Sequence, residues 1–130
     1  MLILCIRTDK PLSEIGLFEN SDKIAYETWE AHRQLAETIH LQIAKILQNH
    51  SKEIHEVEGI ICFKGPGSFT GLRIGLTVAD VLAMSLEIPL VGSSGETWLE
   101  QGLQRLANGE NEMIALPEYG AEAHITKQRK

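Results

Sequence analysis

The sequence predicts an α/β fold built on one mixed sheet, in which an antiparallel meander is followed by parallel strands and helices cover the sheet faces. Three observations predict it. The run MLILCI at 1–6 is continuously apolar, as a strand buried on both faces must be. A second such run, GIICF at 59–63, leads straight into a glycine-rich segment and then a long apolar helix. Between the two runs lie two shorter strand-like segments joined by a tight polar turn, and strands joined so closely pair antiparallel.

The elements follow in order. Residues 13–18 and 23–29 read as the second and third strands, with Pro11 before the first and the cluster Glu19-Asn20-Ser21-Asp22 turning between them. Residues 31–48 read as a helix, because Leu35, Ile39, Ile43, Ile46 and Leu47 recur at helical spacing. The fourth strand is 59–63, the second helix runs over about 72–86, and Pro89-Leu90-Val91 is a short strand. A third helix spans 96–106 and stops at Asn108-Gly109, with Ser93-Ser94 as a loop pair that caps it. Residues 112–116 and 121–126 read as two strands around a Pro117-Glu118-Tyr119-Gly120 turn.

Composition bounds the function. A chain of 130 residues is one ordinary domain, and 43% hydrophobic content is enough for a core made chiefly of aliphatic side chains, since aromatics are only 5%. The formal net charge of -6 argues against a stand-alone nucleic-acid binder, which would carry a basic face. Cys5 and Cys62 each sit in an apolar strand and read as small buried thiols, not as a disulfide framework. No stretch reads as a leader or a membrane span, so a soluble cytoplasmic protein without membrane contact is expected.

The segment KGPGSFTGLRIG at 64–75 carries the chemistry. Gly65, Gly67 and Gly71 allow sharp turning and close approach, and the free amides that open the following helix point at any anion placed there. Ser68 and Thr70 can cap the helix or donate to a phosphate, and Arg73 adds a positive charge. The same segment also serves as a strand-to-helix connector with no ligand, Phe69 filling the core. It is not a Walker loop, because no Gly-Lys-Ser/Thr closes it. His32, His40, His50, His55 and His124 show no ligand spacing, and no nucleophile is paired with a base, so no metal or catalytic residue is expected.

The second helix is apolar around most of its circumference, with only Arg73, Thr77, Asp80 and Ser85 clearly polar. Such a helix is covered on more than one side, either within the chain or by a partner.

The string GPGSFTGLRIG, the small apolar helix after it, the strand Ile88-Pro-Leu-Val-Gly92 and the opening ILCIRTD at 3–9 resemble the TsaB (YeaZ) family. The resemblance covers residues 1–107, which it implies are an actin-like, ribonuclease-H-like (Gcp-like) lobe, with 108–130 as a remnant of a second lobe or a tail. It implies a non-catalytic subunit that binds and activates a TsaD-like enzyme of tRNA N6-threonylcarbamoyladenosine (t6A) modification. A TsaE-like ATPase can join, and a homodimer is open. The implied partner face lies on the helices at 31–48 and 72–86, through Leu35, Ile39, Ile43, Leu72, Leu76, Val78 and Leu82. No cofactor of its own is implied, with ATP or ADP expected near the subunit interface. Three departures stand out. Arg7-Thr8 replaces the Asp-Thr of the family's opening strand, and a cation there cannot hold Mg²⁺. Gly95 and Leu99 occupy the places of the two metal-binding histidines of TsaD-like enzymes. Residues 116–120, LPEYG, match the family's second-lobe opening poorly. The rival readings are a stand-alone phosphate- or nucleotide-binding protein of the actin-like class and a degenerate homodimer.

Overall fold

A computed structural model describes residues 1–31, 34–67 and 69–117, with the Phe69 side chain left aside. The strands are β1 (Leu2–Arg7), β2 (Leu12–Glu19), β3 (Asp22–Glu30), β4 (Gly59–Gly65) and β5 (Leu90–Ser94), and the helices are α1 (Leu35–Asn49), α2 (Phe69–Leu86) and α3 (Trp98–Ala107). They form one sheet in the order β3-β2-β1-β4-β5. The pairs β1–β2 and β2–β3 are antiparallel, while β1–β4 and β4–β5 are parallel, as the two apolar runs and the meander predict.

The central strand is sealed on both faces. Leu2 to Ile6 are all buried, which is why this run carries no polar alternation. Its last residue, Arg7, and Thr8 just after it show which helix lies where. Thr8 reaches α2, its Oγ1 donating to the Gly71 carbonyl at 2.7 Å. Arg7, one residue back and so on the opposite face, stacks over Phe63 beside Trp98 of α3. Thus α1 and α2 cover one face and α3 the other. On α3, Trp98, Gly102 and Leu106 form the buried stripe, and Gly102 is glycine because a Cβ there would stand 2.5 Å from Cγ2 of Ile61.

Several boundaries differ from the sequence reading. Helix α1 starts at Leu35, not at residue 31, because β3 continues through Glu30 and Ala31 is still bonded to the Pro11 carbonyl. Helix α2 starts at Phe69, not at 72. Ser93 and Ser94 belong to β5 and do not cap α3. The Ser93 hydroxyl instead donates to the Trp98 carbonyl at 2.6 Å, and Thr97 holds the N-cap position. Residues 112–116 form no strand. They are held across the β5 edge by side chains of their own segment, and Met113 has a φ of 67°, outside strand geometry. The second proposed strand, 121–126, lies outside the described residues.

The largest correction concerns the partner face. Leu35, Ile39, Leu72 and Leu76 are buried core residues, while the buried Ile43 and Val78 and the half-buried Leu82 pack on the core and also line the groove between α1 and α2. On α2 the sheet-facing row is Leu72, Leu76, Ala79 and Ala83. The outward row is Arg73, Thr77, Val81 and Met84, spaced one turn apart on one face. Val81 is 55% exposed, Met84 65% and, on α1, Leu41 68%.

Ile39 decides between core and surface. Ile39→Ala is expected to lower the unfolding free energy by about 2–5 kcal/mol, measured by urea denaturation. A change within about 0.5 kcal/mol would return this residue to the surface.

Candidate functional site

The site is built where the carboxyl ends of β1 and β4 meet the start of α2. Strand β4 ends at Gly65, whose φ of 123° is open to glycine and not to other residues, and the next bond, Gly65-Pro66, is cis. The chain then passes tightly over β1. A Cβ on Gly67 would stand 2.6 Å from the Asp9 Cβ, and one on Gly75 would stand 2.2 Å from the Thr8 hydroxyl. With Gly71 accepting the Thr8 hydrogen bond, three glycines four residues apart bring α2 against Thr8 and Asp9. The first role of the glycine run is therefore packing, which spacing alone did not separate from phosphate binding.

Beside this junction lies a cavity of about 230 Å³, bounded by Thr8, Lys10, Ser13, Leu35 and the Thr70-Gly71 start of α2. Ser13 is fully buried and its hydroxyl has no hydrogen-bond partner among the described residues. Thr70 lies inside α2, not at its cap, and Arg73 is exposed on the outward row. Ser68 lies outside the described residues. Of the six residues singled out in the loop, the cavity gathers Thr70 and Gly71, while Gly65 and Gly67 shape the turn and Arg73 points elsewhere. Ser13 and Lys10 were missed by sequence reasoning. A serine in a strand carries no signal of its own until the fold shows its hydroxyl without a partner.

On the opposite face, Arg7 takes up the end of β1. Its Nε donates to Oδ1 of Asp9 at 2.8 Å and its Nη2 to Oδ2 at 3.2 Å, a two-pronged pair. The guanidinium carbon sits 3.9 Å from the Phe63 ring centroid and 5.9 Å from that of Trp98. Burial pulls the Arg7 pKa down, but the hydrogen bond and charge of Asp9, with Glu14 behind, hold it above the ordinary arginine value. Both Asp9 oxygens are thus engaged by a cation of the same strand end. Among the described residues no three His, Cys, Asp or Glu side chains stand together as a metal set. Gly95 lies in the β5–α3 turn and Leu99 in α3. Cys5 and Cys62 are buried free thiols, their pKa values pushed up by burial.

Between α1 and α2 a groove follows the helices. It consists of two cavities, about 370 and 180 Å³, that share His40. Ala36 and Ala44 keep its α1 wall low, and Arg73, Thr77 and Leu82 line the α2 side. Among the described residues no helix is long and apolar enough to cross a membrane.

The strand order, the antiparallel meander and the parallel pair that follows it define an actin-like, ribonuclease-H-like lobe. YeaZ from Pseudomonas aeruginosa superposes with a TM-score of 0.66 at 25% identity, over 82% of this chain and 50% of that one. The model of the TsaD family, described as tRNA N6-adenosine threonylcarbamoyltransferase, matches residues 29–108. The TsaB protein of Escherichia coli K12, named a tRNA threonylcarbamoyladenosine biosynthesis protein, is 31% identical over 120 residues, 88% of this chain and 49% of its own length. A tRNA N6-adenosine threonylcarbamoyltransferase of Syntrophotalea carbinolica is 37% identical over 62 residues, 48% of this chain and 18% of that one. The chain belongs to the TsaB (YeaZ) family, whose lobe is also that of TsaD. It spans about half the length of the TsaB relative it matches.

Gly75→Ala tests the junction. The added methyl must displace the Thr8 hydroxyl from Gly71, with an expected loss of about 1–3 kcal/mol of stability by urea denaturation. Gly75→Ala combined with Thr8→Ala should recover part of that loss, since the second change clears the obstructing hydroxyl. Without recovery, the tight contact is not what fixes glycine at this position.

Proposed function

We propose that this chain is a non-catalytic subunit that docks on a TsaD-like paralogue and activates it for t6A modification of tRNA in the cytoplasm. One observation carries the reading. The outward row of α2 exposes Val81 and Met84 in line with Arg73 and Thr77, and the latter two line the α1–α2 groove, whose α1 wall carries small residues. Membership of a family named for t6A biosynthesis supplies the pathway, and the shared lobe of TsaB and TsaD supports the paralogue as partner. The partner surface is therefore Val81, Met84 and Leu41 with the groove, which keeps Ile43, Val78 and Leu82 of the residues the sequence suggested and leaves Leu35, Ile39, Leu72 and Leu76 to the core. With a net charge of -6 the chain leaves the tRNA to its partner. A TsaE-like ATPase completes the assembly, and ATP or ADP belongs near the subunit interface and not to this chain alone.

Val81→Asp with Met84→Asp is the direct test, because both side chains are exposed in the free chain and their replacement leaves the core intact. Affinity for the TsaD-like protein of the same organism, measured by titration and by light scattering on a sizing column, is expected to fall at least tenfold, about 1.4 kcal/mol or more. The unfolding midpoint should stay in place. An unchanged affinity would overturn this face as the docking surface, and a dimer of the chain alone that ignores the paralogue would favour the homodimer.

A second reading, phosphate binding at the start of α2, is favoured by the unpartnered Ser13 hydroxyl in the cavity beside Thr70 and Gly71. Calorimetric titration with inorganic phosphate and with ADP tests it. Binding that Ser13→Ala weakens would support the site, and no measurable heat with either compound would remove it.

A further inference from the structure

Strand β5 is the last strand of the sheet among the described residues, where one side of its backbone has no neighbouring strand. Leu90 and Gly92 turn their N–H and C=O groups to that side, and an open edge of this kind is a template for pairing with another chain. Here all four groups are taken. The Leu90 N–H donates to Oδ1 of Asn111 at 3.1 Å, and the Leu90 carbonyl accepts the Glu112 N–H at 2.8 Å. The Gly92 N–H donates to Oε1 of Glu112 at 2.9 Å, and the Gly92 carbonyl accepts Nη1 of Arg105 at 2.6 Å. One backbone amide and three side chains thus stand in for a sixth strand.

The cover is itself held. Arg105 pairs with Glu110 at 2.8 Å and also with Glu112, so the end of α3 grips the segment at two points. Asn111 Oδ1 also accepts the Met113 N–H, at 2.9 Å, which turns the chain back. The Ala115 N–H donates to Oδ1 of Asp80 on α2 at 3.0 Å, and Ala115 is buried over Gly92. A Cβ on Gly92 would lie 3.1 Å from that of Ala115 and 3.3 Å from Oε1 of Glu112, so glycine at this position makes room for the cover.

We propose that residues 110–115 are a built-in edge guard, a strap that keeps the open side of β5 from pairing with the same edge of a second copy of this chain. The strap's hold on the edge depends on two side-chain acceptors and one arginine on partly exposed positions, while Ala115 anchors its far end in the core. The inference stands on the β5 edge alone and does not depend on the partner face of α2.

The test is hydrogen exchange with sedimentation, on the full chain carrying Asn111→Ala and Glu112→Ala. At concentrations where the chain is monomeric, exchange at the Leu90 and Gly92 amides is expected to rise at least tenfold with the Leu4 and Ile60 amides unchanged, and a dimer is expected to appear as the concentration is raised. Should that variant lose the protection of Leu4 as well, Arg105→Gln keeps the question open to decision, since it removes both the grip on Glu110 and Glu112 and the cover of the Gly92 carbonyl while leaving every residue of β5 and of the strap in place. It should raise the same two amides and promote the same dimer. Unchanged exchange at Leu90 and Gly92 overturns the proposal. So does increased exchange in a chain that stays monomeric at every concentration.

Discussion

The close seat of α2 on the end of β1 is the contact from which the rest of the architecture follows. Thr8 fits between Gly71 and Gly75, donating to one and filling the space a side chain on the other would need. Because these glycines are one turn apart, the contact fixes both the distance of the helix from the strand and its rotation about its own axis. Rotation decides which residues become core. With Thr8 against Gly71 and Gly75, the row Leu72, Leu76, Ala79 and Ala83 is turned inward, and Arg73, Thr77, Val81 and Met84 are turned out. Helix α1 then packs beside a helix whose orientation is already set, and the groove between them is a consequence.

Alternation along β1 divides the site between the two faces of the sheet. Thr8 serves α2, while Arg7 serves α3 through Phe63 and Trp98. Asp9 joins the two, since it is gripped by Arg7 and lies under Gly67. The carboxylate therefore acts as an internal counter-ion for the guanidinium, and the strand end is a neutral, self-satisfied pair. The cavity beside it has Lys10 as the cation in its lining, and Lys10 is drawn toward Glu14 at 3.5 Å. Any anion held there would depend on the amides of α2 more than on side-chain charge.

Much of this was legible in the sequence. The two apolar runs locate β1 and β4 because strands buried on both faces admit no polar residue, and the turn at Asn20-Ser21 sets the meander. Helical spacing found α1 and α2. It could not say which apolar residues of α2 face solvent, since a helix apolar on nearly all sides has no polar stripe to mark the outside. Leu76 and Val81 look alike in sequence, and only the contact at Thr8 separates them. The residues after α3 failed for another reason. Their order comes from Asn111 and Glu112 reaching the backbone of β5, a long-range arrangement with no periodic signature. Ser93 looked like a cap for the same reason, as its hydroxyl finds a carbonyl five residues on only after β5 and α3 are placed.

Asp80 shows how these parts meet in one helix. A carboxylate in the middle of an apolar helix is costly to bury, and burial raises its pKa, an effect that the Ala115 N–H partly offsets. The strap thus supplies a donor that α2 needs, and α2 supplies an acceptor for a backbone group that the strap would otherwise leave unpaired. Helix α2 is consequently fixed at its start by Thr8 and near its middle by Ala115, on either side of Thr77. Val81 follows Asp80 directly, so the exposed apolar residues stand next to the side chain that ties α2 to the strap.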